Sequence, residues 1–256
     1  MAIAVCLVSA FTLLPPMAHA QEVQKTPTEL DDAMARVSAG DASSPRDVVV
    51  IANAGAMQAV PALEKEFKHA TDVDTKLSIA AGLVKLKDHD DTYWNFLLEQ
   101  ATLVVDSDIP DSTYSQSQGK MVRMGPELQA WADGHNVSVS TAAQYARYDF
   151  PGKVLPLATT GDPRGIPILR RALQSRNYLI ATWGAMGLAE IRDKESIPLI
   201  VAAAKRAPAG AGASIAEPLI YFDDDRAQAA VDARVPREKA KALREARANG
   251  QGVFGR

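Results

Sequence analysis

The chain has 256 residues, 47% of them hydrophobic and 23% charged, with a net charge of −3. That length is enough to bury a sizeable core, and a slightly acidic balance excludes capture of nucleic acid along the whole surface. The single cysteine, Cys6, excludes a disulfide framework; with a leader that contains it removed, it also excludes a thiol nucleophile and a thiolate metal ligand.

The first twenty residues, MAIAVCLVSAFTLLPPMAHA, carry no Lys, Arg, Asp or Glu and end on Ala18-His19-Ala20, the small-x-small pattern of a signal-peptidase site. Residues 1–20 therefore read as a signal peptide, cleaved after Ala20, with a periplasmic or secreted destination. Pro15-Pro16 interrupts this stretch, and no later segment reaches 18 uninterrupted apolar residues, so no membrane span is expected. Residues 21–45 follow as a polar segment leading into a first helix.

Residues 46–105 show apolar stripes at helical spacing, with Val60-Pro61-Ala62-Leu63 opening one helix and GLVKLKD, 82–88, closing another. Residues 106–127, DSDIPDSTYSQSQGKMVRMGPE, are polar and rich in turn formers; they are expected to be a mobile loop inserted between two blocks of helices, the alternative being a binding lip. ELQAWADG and STAAQYARYDF then read as short helices that rejoin the main pattern at Pro151. The second block, 128–235, carries stripes such as Ile166, Leu169 and Leu173 followed by Ile180, Gly184, Leu188 and Ile191. Within it APAGAGAS, 207–214, reads as a connection between paired helices. Residues 236–256 read as a basic helix and tail, starting near Pro236 and ending at Gly250. From residue 234 onward seven Lys or Arg face two Glu, a net of +5 that leaves −8 on the rest of the chain; the expectation is a solvated terminal helix that caps the fold.

Self-similarity organises the second block. LATTGDPRGIPIL, LAEIRDKESIPLI and LIYFDDDRAQAAV begin at Leu157, Leu188 and Leu219, 31 residues apart, and place Asp162, Asp193 and Asp224 in register. Asp suits a helix boundary, because its carboxylate accepts hydrogen bonds from exposed backbone N–H groups. Pro61, Pro167 and Pro198 are compatible with first turns of helices, where a backbone donor has no intrahelical partner. Small residues, the Ala80-Ala81-Gly82 and Gly184-Ala185 runs, allow helices to approach closely. A helix pair with two apolar stripes cannot bury both alone and must stack on copies of itself.

GDPRGIPILRRAL, GLAEIRDKESIPLI and AEPLIYFDDDRAQAA resemble HEAT-like repeats, particularly the short subclass known from phycobilisome lyase-type proteins, over roughly 50–105 and 155–232. The resemblance implies an all-α fold, a right-handed α-superhelix of antiparallel helix pairs, with the second helix of each pair lining the concave face. The positions off the apolar stripe of such a helix point into the groove. They are Thr182, Trp183, Met186 and Glu190, and in the next unit Ala213, Ser214, Glu217 and Tyr221.

Catalytic motifs are missing. There is no HExxH, GxSxG, P-loop or GxGxxG after a strand. His69, His89 and His135 are dispersed, while Asp88-His89-Asp90-Asp91 and Asp223-Asp224-Asp225 fall where the repeat already uses acidic residues to start helices, so no metal or other cofactor is expected. Trp, Met and Tyr are enriched where proteins dock. The expected function is therefore a non-catalytic scaffold in the cell envelope, holding a protein or peptide through Thr182, Trp183, Met186, Glu190, Glu217 and Tyr221. A lyase-like or ligand-binding enzyme acting on a tetrapyrrole or another apolar small molecule is the alternative, and a structural module of a larger envelope assembly a third reading.

Overall fold

A computed structural model describes residues 28–39, 44–87, 91–112 and 125–254. Residues 1–20, on which the signal-peptide reading rests, lie outside them, as do 113–124 of the inserted loop. Among the described residues every regular element is helical and none is a strand. No helix among them is long and apolar enough to cross a membrane.

Helices α1 (Glu29–Ala39) and α2 (Pro45–Asn53) form the N-terminal pair. Ser44 caps α2 by accepting from Asp47 N while Asp47 returns a bond to the Ser44 backbone, so two donors at the helix start are satisfied reciprocally. The buried Asp47 carboxylate also receives Arg36 of α1, with Nη2 to Oδ1 at 2.5 Å and Nε to Oδ2 at 3.2 Å. Helices α3 (Val60–His69), α4 (Val73–Leu86) and α5 (Asp91–Asp106) follow. Beyond the inserted segment come α6 (Pro126–Gly134), α7 (Val139–Gln144) and a π-helical turn at Tyr145–Asp149 that runs into α8 (Phe150–Thr159). The short helices after the insertion thus rejoin the main body at Pro151, in the first turn of α8, as expected.

Helices α9 (Ile166–Ala172), α10 (Tyr178–Ile191), α11 (Ile197–Arg206), α12 (Ala209–Ala216), α13 (Asp225–Arg234) and α14 (Arg237–Ala248) complete the chain. Helices α2, α4, α8, α10 and α12 make a row in which each packs on the next. Against this row lie α3 on α4, α5 on α4 and α8, α9 on α10, and α11 on α12. A 3₁₀ turn, Glu217–Tyr221, links α12 to α13 and receives α14, the basic terminal helix anticipated from Pro236 onward.

The repeat has a backbone signature. Gly55, Gly161 and Arg192 all have left-handed φ, at +63°, +69° and +64°. Each stands two residues before a 3₁₀ turn, at Met57–Ala59, Pro163–Gly165 and Lys194–Ser196. Each turn opens into a helix with proline in its first turn, Pro61, Pro167 or Pro198, where the missing N–H costs no intrahelical bond. Asp162 accepts from Arg164 N, and Asp224 caps α13 by accepting from Arg226 N and Ala227 N. Asp193 instead takes Arg170 of α9, Nη2 to Oδ2 at 2.8 Å, and so ties one repeat to the turn of the next.

The 207–214 stretch corrects the expectation of a connection, since residues 209–214 belong to α12. Gly212 serves close packing rather than a bend: a Cβ there would stand 2.5 Å from the Ala204 carbonyl oxygen of α11, whereas Gly210 faces open space. Pro218 then ends the α-helix early, which is why the unit matching α10 is a short helix followed by a 3₁₀ turn.

Candidate functional site

The side chains singled out in the sequence lie on and around α10. Thr182, Trp183, Met186 and Glu190 are half-buried, at the spacing of one face of the helix. Trp183 packs against a cluster built from Ile109, Leu128, Trp131, Ala142 and Val154, while Met186 packs against the larger core. Thr182 Oγ1 donates to the Tyr178 carbonyl, 2.8 Å. Glu190 reaches back over Gly161, where an added Cβ would be 3.4 Å from Glu190 Cγ.

Glu217 and Tyr221 belong to the 3₁₀ turn Glu217–Tyr221, which packs on α10. Glu217 pairs with Lys239 of α14, Oε1 to Nζ at 2.5 Å. Tyr221 is only 6% exposed; burial pushes its phenol above the ordinary tyrosine value, against the opposing pull of Arg192 and Arg247. Arg192 donates to the Tyr221 carbonyl and Arg247 to that of Ile220, so two guanidinium groups grip the 3₁₀ turn. Tyr221 is buried, whereas Glu217 is half-buried like the four α10 residues.

Two helices along the same row lies a feature that sequence reasoning did not single out. Pro45, Val48, Val49, Ala52 and Asn53 of α2, Ser78, Ala81, Gly82 and Lys85 of α4, and Leu155, Pro156 and Thr159 of α8 line a cavity of about 130 Å³. Its floor is low because α4 presents Ser78, Ala81 and Gly82 where its neighbours carry branched side chains. A Cβ on Gly82 would fall 2.4 Å from Val48 Cγ1, so α2 and α4 meet at that glycine. The polar groups at its rim have partners: Ser78 Oγ donates to the Asp74 carbonyl at 3.0 Å, and Lys85 Nζ to Asn53 Oδ1 at 3.1 Å. Lys85 also borders a second depression with Thr160, Gly161, Asp162 and Arg164, and through Gly161 this reaches Glu190. The signal that could have exposed the cavity was the Ala80-Ala81-Gly82 run, noted for close approach.

The acidic runs have structural occupations where they are described. Asp223 pairs with Arg247 at 2.5 Å, which holds its carboxyl below the usual range, and Asp224 is drawn down to about 2, first by its hydrogen bond with Arg226. Asp88, His89 and Asp90 lie outside the described residues. His69 and His135 each place Nδ1 against a backbone carbonyl one turn earlier, and His135 also stacks on Trp131. Among the described residues no group of three His, Cys, Asp or Glu is placed to hold a metal ion. No family model, curated protein or solved structure matches the chain.

Proposed function

We propose that this is an exported, non-catalytic scaffold of HEAT-like helix pairs, wound as a right-handed superhelix, which holds a protein or peptide against the row formed by α2, α4, α8 and α10. The observation that carries this reading is the apolar cavity over Gly82, which borders through Lys85 the depression at Gly161, beside Glu190 of α10. A cavity of about 130 Å³ is smaller than the roughly 300–1,000 Å³ of small-molecule sites. It is close to the ~150 Å³ apolar cavity that takes a benzene ring, and so suits one or two side chains of a partner.

The test is affinity capture from the exported fraction of the cells that make the protein, with the parent chain and a Trp183→Ala/Met186→Ala variant of matched thermal stability. The expected result is one protein retained by the parent and lost by the variant. Enrichment of no protein by either chain overturns the scaffold reading and turns attention to small-molecule ligands.

A further inference from the structure

The π-helical turn Tyr145–Asp149 joins α7 to α8 without a break, and its extra residue decides what its side chains meet. Phe150 N donates to the Tyr145 carbonyl, so residues five apart come into line and their rings stack, with centroids 5.2 Å apart and planes at 10°. The stacked pair borders an open depression of about 510 Å³ between this turn and the start of α4. Val73, 40% exposed, lines it from α4.

The charge of this depression is one-sided. Asp72 caps α4 by accepting from Thr75 N at 2.8 Å, and so has a structural occupation. Asp74 and Asp149 have none: among the described residues neither carboxylate accepts a hydrogen bond or forms an ion pair. Lys153 is the one cation among the lining residues, and its Nζ stands over the Phe150 ring, 5.8 Å from the centroid. Three carboxylates against one ammonium leave −2. The start of α4 returns about +0.5, and α8 adds nothing because it continues from the turn. A further positive group is favoured there by the unpaired carboxylates, beside a ring that already receives a cation.

The same two helices carry an apolar site next to this one. One turn beyond Asp74 on α4 comes Ser78, and beyond Lys153 on α8 come Leu155 and Pro156, all lining the cavity over Ala81 and Gly82. From Asp74 to that floor is about 11 Å at the rise of an α-helix.

We infer that the groove between α4 and α8 docks a segment of a protein partner at two points, a basic side chain in the depression at Asp74 and Asp149 and an apolar side chain in the cavity over Gly82. The inference rests on the scaffold reading and adds the chemistry of the partner.

The test is selection of displayed random 12-residue peptides on the intact protein. The expected result is clones that share a Lys or Arg and a large apolar residue at a fixed separation. Asp74→Asn/Asp149→Asn should weaken them by about tenfold or more, whereas Asp32→Asn/Asp225→Asn, the same change of net charge at exposed residues of α1 and α13, leaves them unchanged. Replacing the basic residue of the peptide by Gln should cost a similar factor against the parent and nothing further against the Asp74→Asn/Asp149→Asn variant, since the two changes remove one interaction. Val49→Glu, at the exposed edge of the cavity, should also weaken the clones, while Leu199→Glu, at an equally exposed residue of α11, does not. Asp74, Asp149 and Val49 are all at least partly exposed, so these variants are expected to fold, and a thermal melt checks it. Clones without a basic residue, or weakened equally by the two pairs of Asp→Asn changes, overturn the inference. Clones that need Asp74 and Asp149 but ignore Val49→Glu overturn the second point of contact. Clones indifferent to all of these and lost with Trp183→Ala/Met186→Ala overturn the location while leaving the scaffold reading in place. Failure to select any clone overturns the inference, and the capture experiment then decides the scaffold reading by itself.

Discussion

Asp47 is a closely constrained carboxylate: buried, capping α2 through Ser44 and gripped by Arg36. The Arg36 hydrogen bond is the chief reason that its carboxyl is held down at about 2. A carboxyl whose folded value is depressed contributes stability that is fully present above its unfolded value, near 4, and is lost as pH falls through the folded value. Melting temperature is therefore expected to hold above about pH 5 and to decline between roughly pH 4 and pH 2. Asp47→Asn should be less stable than the parent at pH 7 by about 1–3 kcal/mol, because Arg36 and the Ser44 cap lose a charged partner. Its decline below pH 4 should be shallower, and an equally steep acid profile in this variant would place the sensitivity elsewhere.

Elements explain which parts of the fold were legible in the sequence. The 31-residue interval was readable because its punctuation is chemical: Leu157, Leu188 and Leu219 recur in register, each followed by an Asp at the turn, Asp162, Asp193 and Asp224. Helix α12 was not readable, because alanine and glycine give the same letters for a linker and for a helix packed tightly on α11. The two uses of glycine give separable predictions. Gly55 has open space around a Cβ but a φ of +63°, so Gly55→Ala should cost about 1–2 kcal/mol from backbone conformation alone. Gly212 has ordinary φ and a backbone carbonyl in the way, so Gly212→Ala should cost about 1–3 kcal/mol through displacement of α11. Urea unfolding distinguishes them, since Gly55→Asn should recover much of the first loss, Asn being tolerant of left-handed φ, while Gly212→Asn should be worse than Gly212→Ala.

At the scale of the molecule the candidate site was half legible. The α10 stripe could be named from one helix because its period is local. The cavity could not, since Val49, Gly82 and Pro156 come from three helices with the inserted segment between the second and third. The interior among the described residues is divided. Ile109, Leu128, Trp131, Ala142 and Val154 form a cluster separate from the main core, yet α8 and α10 contribute to both, with Val154 and Ile180 on one side and Leu157, Ala158, Ala181 and Ala185 on the other. Helices α6 and α7 therefore depend on α8 and α10 for their packing, whereas α2 and α4 are buried in the main core, to which neither α6 nor α7 contributes a buried residue. Leu128→Ala, at a fully buried side chain, should cost about 2–5 kcal/mol, and native-state hydrogen exchange should show the loss confined to α6, α7 and the start of α8. Leu83→Ala, equally buried in the main core, should lower protection throughout α2, α4 and α8. If Leu128→Ala instead lowered protection in α2 and α4 to the same degree, the two clusters would open as one cooperative unit, and the insertion would be integral to the face on which the cavity lies.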